Sequence, residues 1–213
     1  MSNTRKARSS KIWLFWQGDG LSFWAALFFW QAAPILWAMT QSLTLRVARL
    51  VDLAAVDTLL SRSYPRLLAA DYPPSVMVTA LPIISRARPE LLASGRYYLL
   101  LGGTGQLLGA GGWSAAAPGP SDQPEGRVVA GDTGHVRHLA TDPDAVRQGV
   151  GRAVMRAVAE AAGAAGVTRM ECLSTRTAVP FYEAVGFKVV RAVDVPLRPG
   201  IVFPAVQMTR ILP

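Results

Sequence analysis

The stretch of sequence that decides the fold is Ala145-Val146-Arg147-Gln148-Gly149-Val150-Gly151-Arg152-Ala153. Glycines interrupt it twice, and an alanine-rich apolar run follows over residues 154–165. A helix that begins behind such a turn has backbone N–H groups without intrahelical acceptors, at the positive end of the helix dipole. Such groups bind phosphate or pyrophosphate, so the stretch predicts an anion site at the start of a helix.

The elements predicted around this turn are those of an α/β (α+β) protein. Alternating and continuous apolar runs predict strands over residues 43–49, 97–101, 107–113, 135–141, 169–174, 188–195 and 202–211. Helical spacing predicts a helix that Asp52 caps and that ends before Pro65, and further helices over residues 73–84, 149–165 and 178–185. Residues 115–133, rich in Pro, Gly, Ala and Asp, are predicted to form an exposed loop. This order favours a mixed central sheet with helices on its faces, in one domain over residues 39–213.

Composition limits the class of protein. Of the 213 residues, 51% are hydrophobic and 17% are charged, which excludes a mainly disordered chain. The single cysteine, Cys172, excludes an internal disulfide. The net charge of +8 comes from scattered basic residues rather than from a dense stripe with interleaved aromatic residues, so no nucleic-acid partner is expected.

Residues 1–38 differ from the rest of the chain. Five of the six tryptophans lie there, and Arg5, Lys6, Arg8 and Lys11 precede a nearly uninterrupted apolar run over residues 21–39. A run of about 19 apolar residues behind a basic flank fits a membrane-spanning helix. A cleaved signal sequence and an extension without a selected function remain open alternatives. We expect a cytoplasmic protein. Membrane anchoring through residues 12–38 is the alternative.

A second motif follows the turn at a distance of about 30 residues. It reads Ala178-Val179-Pro180-Phe181-Tyr182-Glu183-Ala184-Val185-Gly186-Phe187 and also stands behind a predicted strand. Together, the two motifs resemble the GCN5-related N-acetyltransferase (GNAT) family, over residues 43–212. The resemblance implies a mostly antiparallel sheet of about seven strands flanked by about four helices. It also implies an acyltransferase that uses acetyl-coenzyme A as co-substrate.

The resemblance also implies where the co-substrate binds. Val146 stands where the family has Arg or Gln, so the backbone N–H groups are expected to hold the pyrophosphate, with glycines allowing close approach. The strand before the turn would pair with the pantetheine arm, and one of its N–H groups would polarise the thioester carbonyl. The implied contacts are Leu139, Ala140, Thr141, Arg147, Gln148, Gly149, Val150, Gly151, Arg152 and Thr175.

Catalytic residues are predicted less sharply. By resemblance, Tyr182 is the general acid that protonates the departing thiolate, although a core aromatic role is the alternative. Glu171 and His138 are candidate bases for the amine, and His135 is a further candidate. No cysteine stands beside the histidines to complete a metal site, so no metal is expected.

No motif in the sequence identifies the molecule that accepts the acetyl group. The resemblance implies a small-molecule or peptide amine, and a homodimer is a further expectation. Because Val146 and Thr175 depart from the family pattern, a non-catalytic module that binds or senses acyl-coenzyme A is the alternative function.

Overall fold

A computed structural model describes residues 43–118 and 132–213. The predicted N-terminal segment over residues 1–38 and most of the predicted loop over residues 115–133 lie outside these ranges. Among the helices in the described ranges, none has the length and apolar character that a membrane crossing requires.

The described residues contain a seven-stranded sheet in the order β1-β2-β3-β4-β5-β7-β6. The strands are β1 Thr44–Val47, β2 Tyr97–Leu101, β3 Leu107–Ser114, β4 Thr133–Thr141, β5 Arg169–Ser174, β6 Lys188–Arg198 and β7 Ile201–Ile211. Neighbouring strands pair antiparallel except β4 and β5, which pair parallel. The predicted fold class, a mixed and mostly antiparallel sheet, is confirmed.

Helices cover both faces of this sheet. In the described ranges they are α1 Leu53–Leu68, α2 Pro74–Ile84, α3 Pro89–Ala93, α4 Val150–Ala164 and α5 Val179–Ala184. The helices α1 and α3 pack on one face of β2, β3 and β4, and α2 packs against the β6–β7 hairpin. The helices α4 and α5 pack in a separate apolar cluster on the opposite side of the sheet.

The largest apolar cluster forms beneath α4. Val154, Val158 and Ala162 recur at helical spacing, are completely buried, and pack against residues of the central strands, including Met170. Each of the two buried valines contributes about 1.5–3 kcal/mol relative to an exposed one. This cluster holds α4 against the sheet.

The first helix departs from the prediction in two ways. It continues through Pro65 to Leu68, although we expected it to end before the proline. Proline removes one backbone donor, but Ser63 and Leu68 are buried on either side of it, and their packing keeps the helix continuous. Asp52 does not cap the helix through its side chain; its carboxylate instead accepts two hydrogen bonds from Arg46, at 2.7 and 2.8 Å. The short helix α3 was not predicted.

Gly112 lies where two strands approach closely. It pairs with Tyr97 of β2. A Cβ atom at Gly112 would overlap the carbonyl oxygen of Arg96 and lie 2.9 Å from the Cα atom of Tyr97. Only a residue without a side chain fits at this position.

We predict that Gly112→Ala lowers the free energy of unfolding by about 1–3 kcal/mol, because the backbone must move to admit the methyl group. Gly163→Ala in α4 is the matched control, since its added Cβ would lie 3.9 Å from the nearest side-chain atom. There the gain in helix propensity raises stability by about 0.5–1 kcal/mol. Urea unfolding of both variants checks this, and equal effects would contradict the packing argument.

Candidate functional site

The turn before α4 presents a row of backbone donors. A 3-10 turn over Pro143–Ala145 leads into it, and Arg147 and Gly149 take left-handed conformations, with φ of +62° and +81°. The first backbone bond of the helix runs from the N–H of Ala153 to the carbonyl of Gly149. None of the N–H groups of residues 147–152 has an acceptor among the described residues. The turn can therefore receive an anion and is the candidate anion-binding turn.

Glycine is required at two positions of the turn for different structural reasons. Gly149 has open space around its Cβ position but a positive φ that other residues adopt only with strain. Gly151 has ordinary helical φ, and a Cβ there would lie 3.1 Å from the Phe181 ring and 3.3 Å from the Thr141 hydroxyl oxygen. We predicted glycine at position 151 because a ligand approaches the backbone closely. Close packing against Phe181 is a second reason for glycine there.

Two acidic residues beside the turn are paired with arginines of α1. Arg62 donates to Asp142 at 3.0 Å and to Asp144 at 3.1 Å, and Arg66 donates to Asp144 at 3.0 Å. Asp142 also accepts a hydrogen bond from the backbone N–H of Asp144. These pairs offset negative charge next to the anion site. Sequence reasoning missed them, although two arginines four residues apart indicate one helix face.

The strands β4 and β5 form a fork. They pair parallel from Thr133 and Arg169 to His135 and Glu171, and the pairing stops there. Beyond this point β4 stays paired with β3, and β5 stays paired with β7. The predicted backbone contacts Leu139, Ala140 and Thr141 all lie on the β4 arm of the fork, which ends at the anion-binding turn.

A β-bulge interrupts the β4 arm. Ala110 pairs with Ala140 and Gly112 with Arg137, so Gly111 faces two residues of β4. His138 in this bulge has a φ of +45°. Bulges commonly re-aim backbone groups beside functional sites.

His135 and Glu171 lie at the base of the fork. The Nδ1 atom of His135 is 4.0 Å from a carboxylate oxygen of Glu171. Burial lowers the pKa of His135, with Glu171 opposing and Arg137 reinforcing the shift, so the imidazole is neutral at neutral pH. A cavity of about 310 Å³ opens in front of the pair, and its polar lining is His135, Glu171, Arg191, Asp194 and Gln207. A neutral imidazole and a carboxylate there can accept a proton.

His138 has a different environment. Burial, together with the charges of Arg137 and Arg88, lowers its pKa to about 3. Its Nδ1 atom is buried without a hydrogen-bond partner in the described residues. Its backbone carbonyl accepts a hydrogen bond from the hydroxyl of Tyr97 at 2.9 Å. The side chain is a weaker proton acceptor than His135.

Tyr182 is buried beside the turn. Its ring makes edge contacts with Phe181 at 5.3 Å and with Phe187 at 5.2 Å between ring centroids. Burial raises the pKa of the Tyr182 hydroxyl well above its ordinary value, with Cys172 and Tyr64 adding to the shift. The hydroxyl therefore keeps its proton at neutral pH and is available as a hydrogen-bond donor.

The remaining predicted residues have local roles in the structure. The hydroxyl oxygen of Thr175 accepts a hydrogen bond from the N–H of Ala178 and so caps the 3-10 turn before α5. Cys172 is buried, and burial raises its pKa to about 12, so it is a packed thiol. Arg147 and Arg152 flank the anion-binding turn. Within residues 43–118 and 132–213, no group of three His, Cys, Asp or Glu side chains is placed to hold a metal ion.

A groove of about 780 Å³ leads away from the turn along α4. It begins at Gly149 and Arg152 and passes Arg156 and Arg210 on its way to the C-terminal residues. An anionic ligand bound at the turn can therefore extend past further guanidinium groups.

Comparison with known proteins finds similarity to one family over part of the chain. The family model described as an acetyltransferase (GNAT) domain matches residues 120–209. No curated protein matches the sequence significantly.

Solved structures share the fold at low sequence identity. A GCN5-related N-acetyltransferase from Rhodopseudomonas palustris has a TM-score of 0.60 at 20% identity, covering 81% of this chain and 96% of that chain. The PaiA N-acetyltransferase from Thermoplasma acidophilum, solved with coenzyme A, has a TM-score of 0.59 at 13% identity, covering 80% and 99%. The ribosomal-protein-S18-alanine N-acetyltransferase from Escherichia coli has a TM-score of 0.52 at 18% identity, covering 80% and 94%. In its domain match over residues 120–209, its fold and its motifs, this chain is similar to the GCN5-related N-acetyltransferases.

Proposed function

We propose that this protein transfers an acetyl group from acetyl-coenzyme A directly to a primary amine of a small molecule or peptide. The observation that carries the proposal is the fork between β4 and β5, one arm of which ends at a turn with unpaired N–H groups. A fork offers an open strand edge for an amide-bearing arm, and the turn offers donors for a pyrophosphate. Coenzyme A carries both groups in one molecule.

The chain's contacts with acetyl-coenzyme A follow from this arrangement. The N–H groups of residues 147–152 bind the pyrophosphate, with Arg147 and Arg152 adding charge. The pantetheine arm pairs with the backbone of residues 139–141 in the fork. Arg156 and Arg210, which line the groove beyond the turn, face the remaining phosphate of the co-substrate.

The transfer requires one proton acceptor and one proton donor. Glu171, assisted by His135, takes one proton from the protonated amine at the base of the fork, and the neutral amine nitrogen then attacks the thioester carbonyl carbon. A backbone N–H of β4 stabilises the negative oxygen of the tetrahedral intermediate. The carbon–sulfur bond then breaks, and Tyr182 donates its proton to the thiolate. The product nitrogen loses its surplus proton to solvent, from which the Tyr182 hydroxyl is restored. The low pKa of His138 makes it the less suitable base.

We predict release of free coenzyme A thiol from acetyl-coenzyme A in the presence of at least one member of a panel of primary amines. Tyr182→Phe lowers kcat by about 10²-fold, because a general acid contributes at least that factor, with little change in coenzyme A affinity. A thiol assay measures turnover, and calorimetry measures binding. Tight binding without turnover on any amine would contradict the catalytic proposal.

We predict that Gly149→Ala weakens coenzyme A binding about tenfold, because misaligned N–H groups lose contacts to the pyrophosphate. Gly105→Ala in the β2–β3 turn is the matched control. Both glycines have nearly the same φ, +81° and +83°, with open space around the Cβ position. Both substitutions should therefore destabilise the fold by about 1–2 kcal/mol, while the affinity measured by calorimetry falls only for Gly149→Ala. Equal affinities would count against the turn as the binding site.

The proposed base pair, Glu171 and His135, predicts how kcat/KM depends on pH. The pKa of His135 lies below its ordinary value of 6.5. The ring therefore gains a proton only as pH falls through that lowered value, and His135 then no longer assists Glu171 in proton removal. We expect kcat/KM, corrected for titration of the acceptor, to have an acid limb with its midpoint below pH 6.5. Glu171→Gln lowers kcat by about 10²-fold, and His135→Gln alters the acid limb. An unchanged profile in both variants would exclude this pair as the base.

A further inference from the structure

Tyr97 reaches across a neighbouring strand. It lies on β2 and pairs with Gly112 of β3, which in turn pairs with Arg137 of β4. Its hydroxyl donates a hydrogen bond of 2.9 Å to the carbonyl oxygen of His138, in the β4 bulge. A Cβ atom at Gly112 would lie 2.7 Å from the ring of Tyr97. The absence of a side chain at Gly112 is therefore what lets the ring cross β3.

The peptide group that Tyr97 holds is a strained one. His138 has a φ of +45°, in the left-handed region that costs energy for a residue with a side chain. Such conformations persist only where the surroundings hold them, and they cluster at functional sites. The bond from Tyr97 is a contact that fixes the His138 carbonyl in this bulge.

The direction of this carbonyl sets the direction of the next N–H. The peptide unit between His138 and Leu139 is planar and trans, so its N–H points opposite to its C=O. The carbonyl points to the Tyr97 hydroxyl, and the N–H of Leu139 therefore points away from that hydroxyl. Beyond His135 and Glu171, β5 has separated from β4, and the fork beside Leu139 is open.

We propose that Tyr97 is a positioning residue for acetyl transfer: its hydroxyl holds the strained 138–139 peptide so that the N–H of Leu139 is aimed at the thioester carbonyl oxygen. The proposal rests on the proposed function, in which a backbone N–H of β4 stabilises the tetrahedral intermediate. Tyr97 acts only through this peptide, since it is 1% exposed and lies beneath the sheet surface. Burial raises its pKa well above the ordinary value, so the hydroxyl remains a donor.

Tyr97→Phe removes only the hydroxyl oxygen and is the central test. We expect kcat to fall about tenfold to a hundredfold, because a donor displaced by a fraction of an ångström stabilises the transition state less well. The KM for acetyl-coenzyme A should change less than about twofold, because the N–H groups of the turn are untouched. In a background of His138→Gly, where the positive φ carries no strain, the effect of Tyr97→Phe on kcat should be at least several-fold smaller.

Val158→Ala in the buried centre of α4 controls for a general loss of stability. It should lower the melting temperature without lowering kcat. The amide signal of Leu139 in a ¹⁵N NMR spectrum should shift in Tyr97→Phe and not in Val158→Ala, which tests the geometry whether or not turnover is found.

Three results would overturn the positioning role. The first is an unchanged kcat in Tyr97→Phe of an active enzyme, and the second is an equal loss of kcat in Val158→Ala. The third is an unshifted Leu139 amide in Tyr97→Phe. Lack of turnover by the unmodified protein on any amine, with the Leu139 amide shifted as expected, would instead count against the proposed function alone.

Discussion

The active-site architecture depends on one break in backbone pairing. In a sheet whose other neighbours are antiparallel, β4 and β5 run parallel for three residue pairs and then separate. Each strand keeps its outer partner, so hydrogen bonds to β3 and to β7 hold the two arms apart. The opening is therefore a fixed property of the sheet and needs no movement of a loop to form.

Packing couples this opening to the anion-binding turn. Gly151, in the first turn of α4, lies so close to Thr141 of the β4 arm and to the ring of Phe181 on α5 that an added Cβ atom would be within 3.3 Å of both. Tyr182 follows Phe181 and stacks edge-on with it, beside the same turn. The end of one strand, the start of one helix and the proposed acid thus share a single contact cluster. A change in any of these parts alters the position of the others.

Local patterns in the sequence predicted much of this arrangement. Alternating and continuous apolar runs indicated all seven strands, and the glycines indicated the start of α4, because both signals depend on neighbouring residues. The bulge at His138 escaped prediction, because it arises in the pairing of β4 with β3 and its carbonyl bonds to Tyr97 of β2, and all these partners are distant in sequence. The continuation of α1 through Pro65 likewise depends on burial against the sheet, which overrides the local preference of proline. The pairing of Arg62 with Asp142 joins residues 80 positions apart and has no local signal.

The arginines of α1 also affect how an anion reaches the site. Two carboxylates beside the candidate phosphate-binding turn would repel an incoming anion, and the two arginines Arg62 and Arg66 neutralise that charge. These side chains are at least half exposed, so their field extends into solvent and is screened over about 8 Å at physiological ionic strength. The N–H groups of the turn act only at contact, where salt screens little. In the proposed function, α1 therefore removes a repulsion that would slow the arrival of a charged ligand, and the N–H groups at the start of α4 determine how long the ligand stays bound.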